Sequence, residues 1–201
     1  EQIGNMWNLR SWINKTWLDA LGLAMPSTTE ELREVLKAFV EKDPNGNGQP
    51  DEIGLVGGLG NRQQTVDFLM NAFIYNDAQD RWLVQDGVLD VPYDKDAWRE
   101  GLAYMRGLCD EGLFSPLTFT MDEAQLKQLL ASGTDRNVVG VFTANSFSVT
   151  PTDERRLEYE PLPPLTGPEG VCYAARFPTL PTSRYIITRD AKNPELAFRI
   201  G

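Results

Sequence analysis

Histidine is absent from the 201-residue sequence, and its absence excludes several kinds of active site at once. Serine and cysteine nucleophiles that need a histidine base are ruled out, and so is the ordinary catalytic zinc site. The two cysteines, Cys109 and Cys172, are too few for a zinc cluster and too far apart for a C-x-x-C redox pair. We expect them to be unbridged and buried, although the sequence also permits a disulfide. Any chemistry must therefore use carboxylates, lysine, tyrosine or cysteine.

Long apolar runs and an excess of basic residues are also missing. No stretch approaches the roughly 20 apolar residues of a spanning helix, and residues 1–20 lack the pattern of a signal peptide. Aspartate and glutamate number 29 against 19 lysines and arginines, so the net charge of −10 repels a phosphate backbone and we expect no nucleic-acid partner. Because the chain lacks an initial Met and stops soon after a helix begins, we expect residues 1–201 to form one domain of a longer protein.

What is present predicts a helix-rich α/β domain. Asn14 is a good N-cap for a short helix that Gly22 ends, and Thr28 with Glu31 forms a capping box before a strongly amphipathic second helix. Three more helices are predicted around Val66–Ile74, after Asp94 and after Asp122, and a last one begins near Asn193. Asp86-Gly87 predicts a β-hairpin, and the apolar runs 138–142 and 185–188 predict buried strands. The proline-rich residues 159–168 predict an extended connection.

The segment 43–52 is the most specific motif in the chain. Oxygen-bearing side chains alternate along it, and Gly48 stands sixth, where a calcium loop turns sharply. An EF-hand would carry a bidentate Glu at position twelve, but Gly54 stands there, so Glu52 must replace it. The pattern indicates an EF-hand-like loop that holds a structural calcium ion; the alternative is a polar Asn-Gly turn without a metal. The predicted ligands are Asp43, Asn45, Asn47, Gln49 through its carbonyl, Asp51 and Glu52.

Several segments together resemble a known family. These are WINKTWLDALGL at 12–23, PST at 26–28, LKAF at 36–39, DPNGNG at 43–48, EGL at 111–113, PPLTGPEG at 163–170 and ITRDAKNPE at 187–195. In this order they resemble the family 1 extracellular solute-binding proteins of bacterial sugar ABC transporters, over nearly the whole chain.

The resemblance implies one lobe of a type II periplasmic-binding-protein fold, with the N-terminal lobe and the final helices lying outside residues 1–201. It further implies a non-catalytic receptor that binds an oligosaccharide between two lobes and delivers it to permease subunits. Such a protein is extracellular or periplasmic, and it contacts the membrane only through a lipid anchor outside this chain. In alginate-oligosaccharide-binding relatives a loop of this kind holds calcium, which agrees with the ligands named above.

Sugar recognition needs flat apolar faces and planar polar groups, so aromatic, amide and guanidinium side chains near a cleft are the candidates. Trp17, Trp82 and Trp98 fit core positions better and are left out. The predicted ligand-binding residues lie in the first segment, after the strand at 138–142, or beyond the proline-rich segment: Trp7, Trp12, Asn145, Phe147, Tyr173 and Arg176.

Two other functions stay open at this point. A calcium-stabilised carbohydrate-active enzyme could use paired carboxylates, although most carboxylates stand at helix caps or in the 43–52 loop and none is set apart by an apolar environment. A surface interaction module could use the same loop, but it would carry a second copy of the motif, and the sequence has none.

Overall fold

A mixed four-stranded sheet is the centre of the fold. The computed structural model describes residues 7–8, 10–60, 64–77, 80–133, 136–144, 149–150, 154–177 and 186–200. The strand order is β3 (Ile53–Val56), β6 (Val139–Thr143), β2 (Ser11–Asn14) and β7 (Tyr159–Leu162). Strands β3 and β6 are parallel, whereas β2 is antiparallel to both β6 and β7. Three strands therefore run in one direction, and their carboxyl ends share an edge with the start of β2.

Helices cover both faces of this sheet, which explains why its two parallel strands, β3 and β6, read as nearly continuous apolar runs. One face packs against α1 (Lys15–Leu21), α2 (Thr29–Glu41), α3 (Thr65–Met70) and α4 (Asp96–Asp110), and the other against α5 (Glu123–Ala131). Because successive strand side chains point to opposite faces, Ile13 and Val141 join the first layer, whereas Trp12 and Phe142 join the second. The remaining elements are the pair β1 (Trp7–Asn8) and β8 (Arg176–Phe177), the hairpin β4 (Leu83–Gln85) and β5 (Val88–Asp90), 3-10 helices at Pro116–Phe119 and Glu154–Glu158, and α6 (Pro194–Ile200).

The local signals in the sequence explain most helix ends and the hairpin. Asn14 accepts from the Trp17 N–H, and the Thr28–Glu31 capping box is complete. Asp122 caps α5 in the same reciprocal way. Asp86 and Gly87 have φ values of 51° and 78°, the left-handed geometry that a two-residue hairpin requires.

Other expectations are wrong in detail. The third helix ends at Met70 instead of continuing to Ile74, and α4 begins after Lys95, which provides no side-chain cap, whereas Asp94 pairs with the Lys95 ammonium. Within the predicted strand 185–188, residues 186–188 have no regular secondary structure, and Ile186 is 75% exposed. Residue 185 lies outside the described residues.

The proline-rich segment and the cysteines complete the corrections. Residues 159–162 form a strand at the edge of the described sheet, where β7 pairs with β2, and an edge position tolerates Pro161. Cys109 and Cys172 are unbridged as expected, but Cys109 is only half-buried and Cys172 is exposed, so the expectation of two buried residues is wrong. In the part of the chain that the structure covers, none of the helices combines the length and apolar character needed to span a membrane.

Candidate functional site

The first candidate site is the loop between α2 and β3. The Asp43 carboxylate accepts from the backbone N–H groups of Asn47 and Gly48, at 3.0 and 2.8 Å, and so curls the loop around its own first residue. The side-chain oxygens of Asn45 and Asn47 accept from the backbone N–H two residues later, that of Asn47 and of Gln49, at 2.9 and 2.7 Å. Gly48 supports the turn with a φ of 73°. The alternating oxygens of the sequence therefore lie on the inner side of one tight loop.

The loop is attached to the rest of the domain at one side. The Asn45 amide donates to the Asn137 carbonyl at 3.3 Å, and the Arg136 guanidinium donates to the Asn45 carbonyl. Asn45 is buried, at 8% exposed, whereas Asp43 and Asp51 are exposed. These bonds join the loop to the residues that lead into β6, so its conformation is coupled to the sheet.

The charges in the loop lack a cationic partner inside it. Among the residues that the structure describes, Asp51 accepts from the Asn45 and Asn47 amides, and one Glu52 oxygen, Oε1, is buried without a hydrogen-bond partner. Burial raises the pKa of Glu52, and the nearby negative charges of Asp51 and Asp43 raise it further. A divalent cation would supply the missing partner, because carboxylate, amide and carbonyl oxygens are the ligands that calcium takes.

A cation here would need more than carboxylates. Within the described ranges, no group of three or more His, Cys, Asp or Glu side chains is placed to hold a metal. The amide groups of Asn45 and Asn47, whose oxygen and nitrogen orientations follow from the hydrogen-bond network, must therefore contribute oxygens as well. The set of residue types fits a hard cation such as calcium.

The second candidate site is the carboxyl edge of the sheet, where ligands bind in many open α/β folds. Buried hydroxyl groups line this edge: Ser11 and Thr143 are 2.7 Å apart, and the Thr65 hydroxyl lies 2.9 Å from Thr143. A cavity of about 370 Å³ opens beside it. Its lining comes from the residue before β2, from α3 and the residue after it, and from the segments around 161–164 and 173–175: Arg10, Phe68, Asn71, Pro161, Leu162, Pro163, Pro164, Tyr173, Ala174 and Ala175.

Tyr173 is the predicted ligand-binding residue that the structure brings to this edge. Its side chain is 47% exposed, and its backbone N–H donates to the Asn71 carbonyl at 2.9 Å. Trp7 and Arg176 belong to the paired strands β1 and β8, so their backbones are close neighbours, but their side chains lie outside the described residues. Asn145 and Phe147 also lie outside the described residues.

Trp12 is buried where an accessible side chain was expected, and Trp82 is exposed where a core side chain was expected. Trp12 is 5% exposed, packs in the core beside α5 and donates its indole N–H to the Ala144 carbonyl at 2.9 Å. The interpretation that it lies outside the core is therefore wrong. Trp82, expected in the core, is 56% exposed beside Tyr75 and Tyr173. Sequence reasoning missed this second aromatic group because Trp82 precedes a strand too short to show a period.

Comparison with known proteins identifies the family. Residues 5–199 match the family model described as bacterial extracellular solute-binding protein. The chain is 38% identical to the fructooligosaccharide ABC transporter substrate-binding protein FusA of Streptococcus pneumoniae. The matched region of 195 residues covers 96% of this chain and 35% of FusA. The chain thus spans about a third of the length of that relative.

Solved structures agree with the sequence comparison. FusA of S. pneumoniae in complex with kestose has a TM-score of 0.76 and 37% identity, over 88% of this chain and 36% of FusA. An EF-hand mutant of FusA in complex with fructo-nystose also has a TM-score of 0.76, with 36% identity over 98% of this chain and 40% of the mutant. These relatives are substrate-binding proteins of ABC transporters, not enzymes. The fold is that of the same proteins, and the chain belongs to the bacterial extracellular solute-binding protein family.

Proposed function

We propose that the chain is part of the extracellular substrate-binding component of an ABC importer and that its cargo is an oligosaccharide. The observation that carries this proposal is the 38% identity to FusA over 96% of the chain. At that identity and coverage this chain and FusA share a fold. Ligands of open α/β folds bind at the carboxyl edge of the sheet, so we place the ligand in the cavity there.

The proposed ligand contacts begin with Tyr173, whose half-exposed ring lines the cavity at that edge. Asn145 and Phe147 follow β6, which ends at the same edge, and they remain proposed contacts together with Trp7 and Arg176. Trp12 is buried in the core, where it donates its indole N–H to the Ala144 carbonyl, so it is no longer among the proposed contacts. A sugar ring would stack its C–H face on an aromatic ring and share its hydroxyls with amide and guanidinium groups.

We also propose that the 43–52 loop binds one structural calcium ion. The support is the curled loop, the buried and unpartnered Glu52 oxygen, and the existence of an EF-hand mutant among the FusA structures. Its proposed ligands are Asp43, Asn45, Asn47, Asp51 and Glu52, with the Gln49 carbonyl. The ion would neutralise the carboxylates and fix the loop against Asn137, and it would take no part in chemistry.

The remaining partners follow from the proposed function. Permease subunits of an ABC transporter would receive the cargo, and a lipid anchor outside these residues would hold the protein at the cell surface. We propose no catalytic residue.

Isothermal titration of the full-length protein with fructooligosaccharides and other oligosaccharides, in millimolar calcium, tests the proposed function. We expect saturable 1:1 binding that Tyr173→Ala weakens. The matched control is Tyr93→Ala, because Tyr93 is also exposed, at 57%, but does not line the cavity at the sheet edge. If the protein binds none of the oligosaccharides, or if the two variants lose affinity equally, the proposed site is wrong.

A further inference from the structure

A second cavity, of about 640 Å³, shares Tyr173 with the cavity at the sheet edge. The rings of Tyr75 and Tyr173 meet edge to face in it, with centroids 5.8 Å apart and planes at 87°. Trp82 lines the same cavity and is 56% exposed. Exposed tryptophan is costly to leave in water, so this arrangement points to a ligand that covers it.

The polar groups of this cavity complement its aromatic rings. Asp77 and Asp80 also line the cavity, and ionised carboxylates are pure acceptors of hydrogen bonds. The Tyr75 hydroxyl is a donor at neutral pH like that of any tyrosine, and burial with the negative charge of Asp77 raises its pKa further. Flat rings with a few acceptors suit the C–H faces and hydroxyl rims of a neutral sugar.

A buried polar network fixes the wall that carries Trp82. Asp67 on α3 is 2% exposed and forms an ion pair with Arg81 at 3.3 Å, and it also accepts from the Asn76 amide at 2.7 Å. Arg81 itself has a φ of 52°, a left-handed conformation that non-glycine residues adopt only when neighbouring contacts impose it. The residue directly before Trp82 is thus held by a buried carboxylate.

The same network fixes the opposite wall. The Asn71 side chain donates to the Asn76 carbonyl at 2.8 Å, and the Asn71 carbonyl accepts the Tyr173 N–H at 2.9 Å. Both walls are therefore anchored to the end of α3, and the space between them is set before any ligand arrives. Such pre-organisation reduces the entropy that a ligand loses on binding.

We propose that the cleft between Tyr75, Trp82 and Tyr173 is a carbohydrate subsite. It takes a sugar ring that flanks the one held at the carboxyl edge of the sheet, with Tyr173 between the two rings. This inference rests on the proposed function, because it assigns a further contact to the same oligosaccharide. Asp67 and Asn71 are positioning residues for this subsite.

Affinities for a series of oligosaccharides of increasing length test the subsite in the full-length protein. We expect Trp82→Ala to weaken binding of tri- and longer oligosaccharides by about tenfold, typical of a lost aromatic anchor, and to leave the affinity for disaccharides nearly unchanged. Asp80→Asn should reduce the same affinities by a smaller factor. Tyr93→Ala is the matched control and should leave every affinity unchanged, and circular dichroism checks that each variant folds.

The outcomes separate the subsite from the function on which it rests. If the wild-type protein binds the series and Trp82→Ala leaves every affinity unchanged, or lowers all of them equally, the subsite is overturned and the proposed function stands. If Trp82→Ala keeps all affinities but abolishes uptake in cells, the cleft serves a protein partner and the subsite is overturned. If the wild-type protein binds no oligosaccharide, the proposed function fails and the subsite fails with it.

Discussion

Removing calcium should lower the melting temperature of the protein, and the 43–52 loop explains why. Without a cation, the negative charges of Asp43, Asp51 and Glu52 lie in one short loop, and one Glu52 oxygen is buried without a partner. Calcium that binds only the native state, at a free concentration of about 100 times its Kd, stabilises that state by about 2.7 kcal/mol. For a domain of this size, each kcal/mol corresponds to roughly 2–4 °C, so we expect a rise of roughly 5–11 °C.

The variant Glu52→Gln makes this prediction sharper. It removes one of the three negative charges and gives the buried position a donor, so in EGTA we expect its melting temperature to equal or exceed that of the wild type. It also removes a proposed calcium ligand, so the calcium-dependent rise should shrink by most of its size. Glu34→Gln is the matched control, because Glu34 is an exposed glutamate on α2 outside the loop. Differential scanning calorimetry in calcium and in EGTA measures the melting temperatures of the wild type and both variants.

Two results would refute this reasoning. A melting temperature that EGTA leaves unmoved would mean that the loop needs no metal and is held by its Asx turns alone. A calcium-dependent rise of equal size in the wild type and in Glu52→Gln would place the ion elsewhere.

Three further predictions concern the fold. In Gly140→Ala, the added Cβ would lie 2.4 Å from the Phe39 ring, so overpacking should lower the free energy of unfolding by about 1–3 kcal/mol in urea titration, and an unchanged midpoint would contradict this. Thr28→Ala removes the capping box of α2, which should cost about 1 kcal/mol in the same assay, and no loss would mean that the cap is dispensable. Burial raises the pKa of Asp67 more than Asn76 and Arg81 lower it, so the native state retains this proton longer than the unfolded state does. The wild type should therefore lose stability relative to Asp67→Asn as pH rises through the folded pKa, and parallel curves of unfolding free energy against pH would contradict this.

Features set by neighbouring residues could be predicted from the sequence. Asn14, Thr28 and Asp122 cap their helices as expected, and Asp86-Gly87 forms the hairpin turn, because each signal depends on contacts within a few residues. The 43–52 loop also curls as its alternating oxygens suggest, since its hydrogen bonds run mainly between residues of the loop itself.

Features set by distant residues could not be predicted in the same way. Trp12 is buried because β2 lies between β6 and β7 in the sheet, and that strand order brings together residues more than 120 positions apart. Trp82 is exposed although it follows Arg81, which pairs with the buried Asp67, and no local pattern in the sequence links those two residues. Ile186 is a similar case: the apolar residues around it suggest a strand, but residues 186–188 have no regular secondary structure.

Oligosaccharide binding without cleavage is the central claim, and equilibrium dialysis of the full-length protein in calcium tests it most directly. The protein is dialysed against a mixture of oligosaccharides, and the sugars retained with it are released and identified by chromatography and mass. The account predicts that a defined set of oligosaccharides is retained in a saturable way and recovered intact. Retention of none of them, or recovery of shortened products, would contradict it.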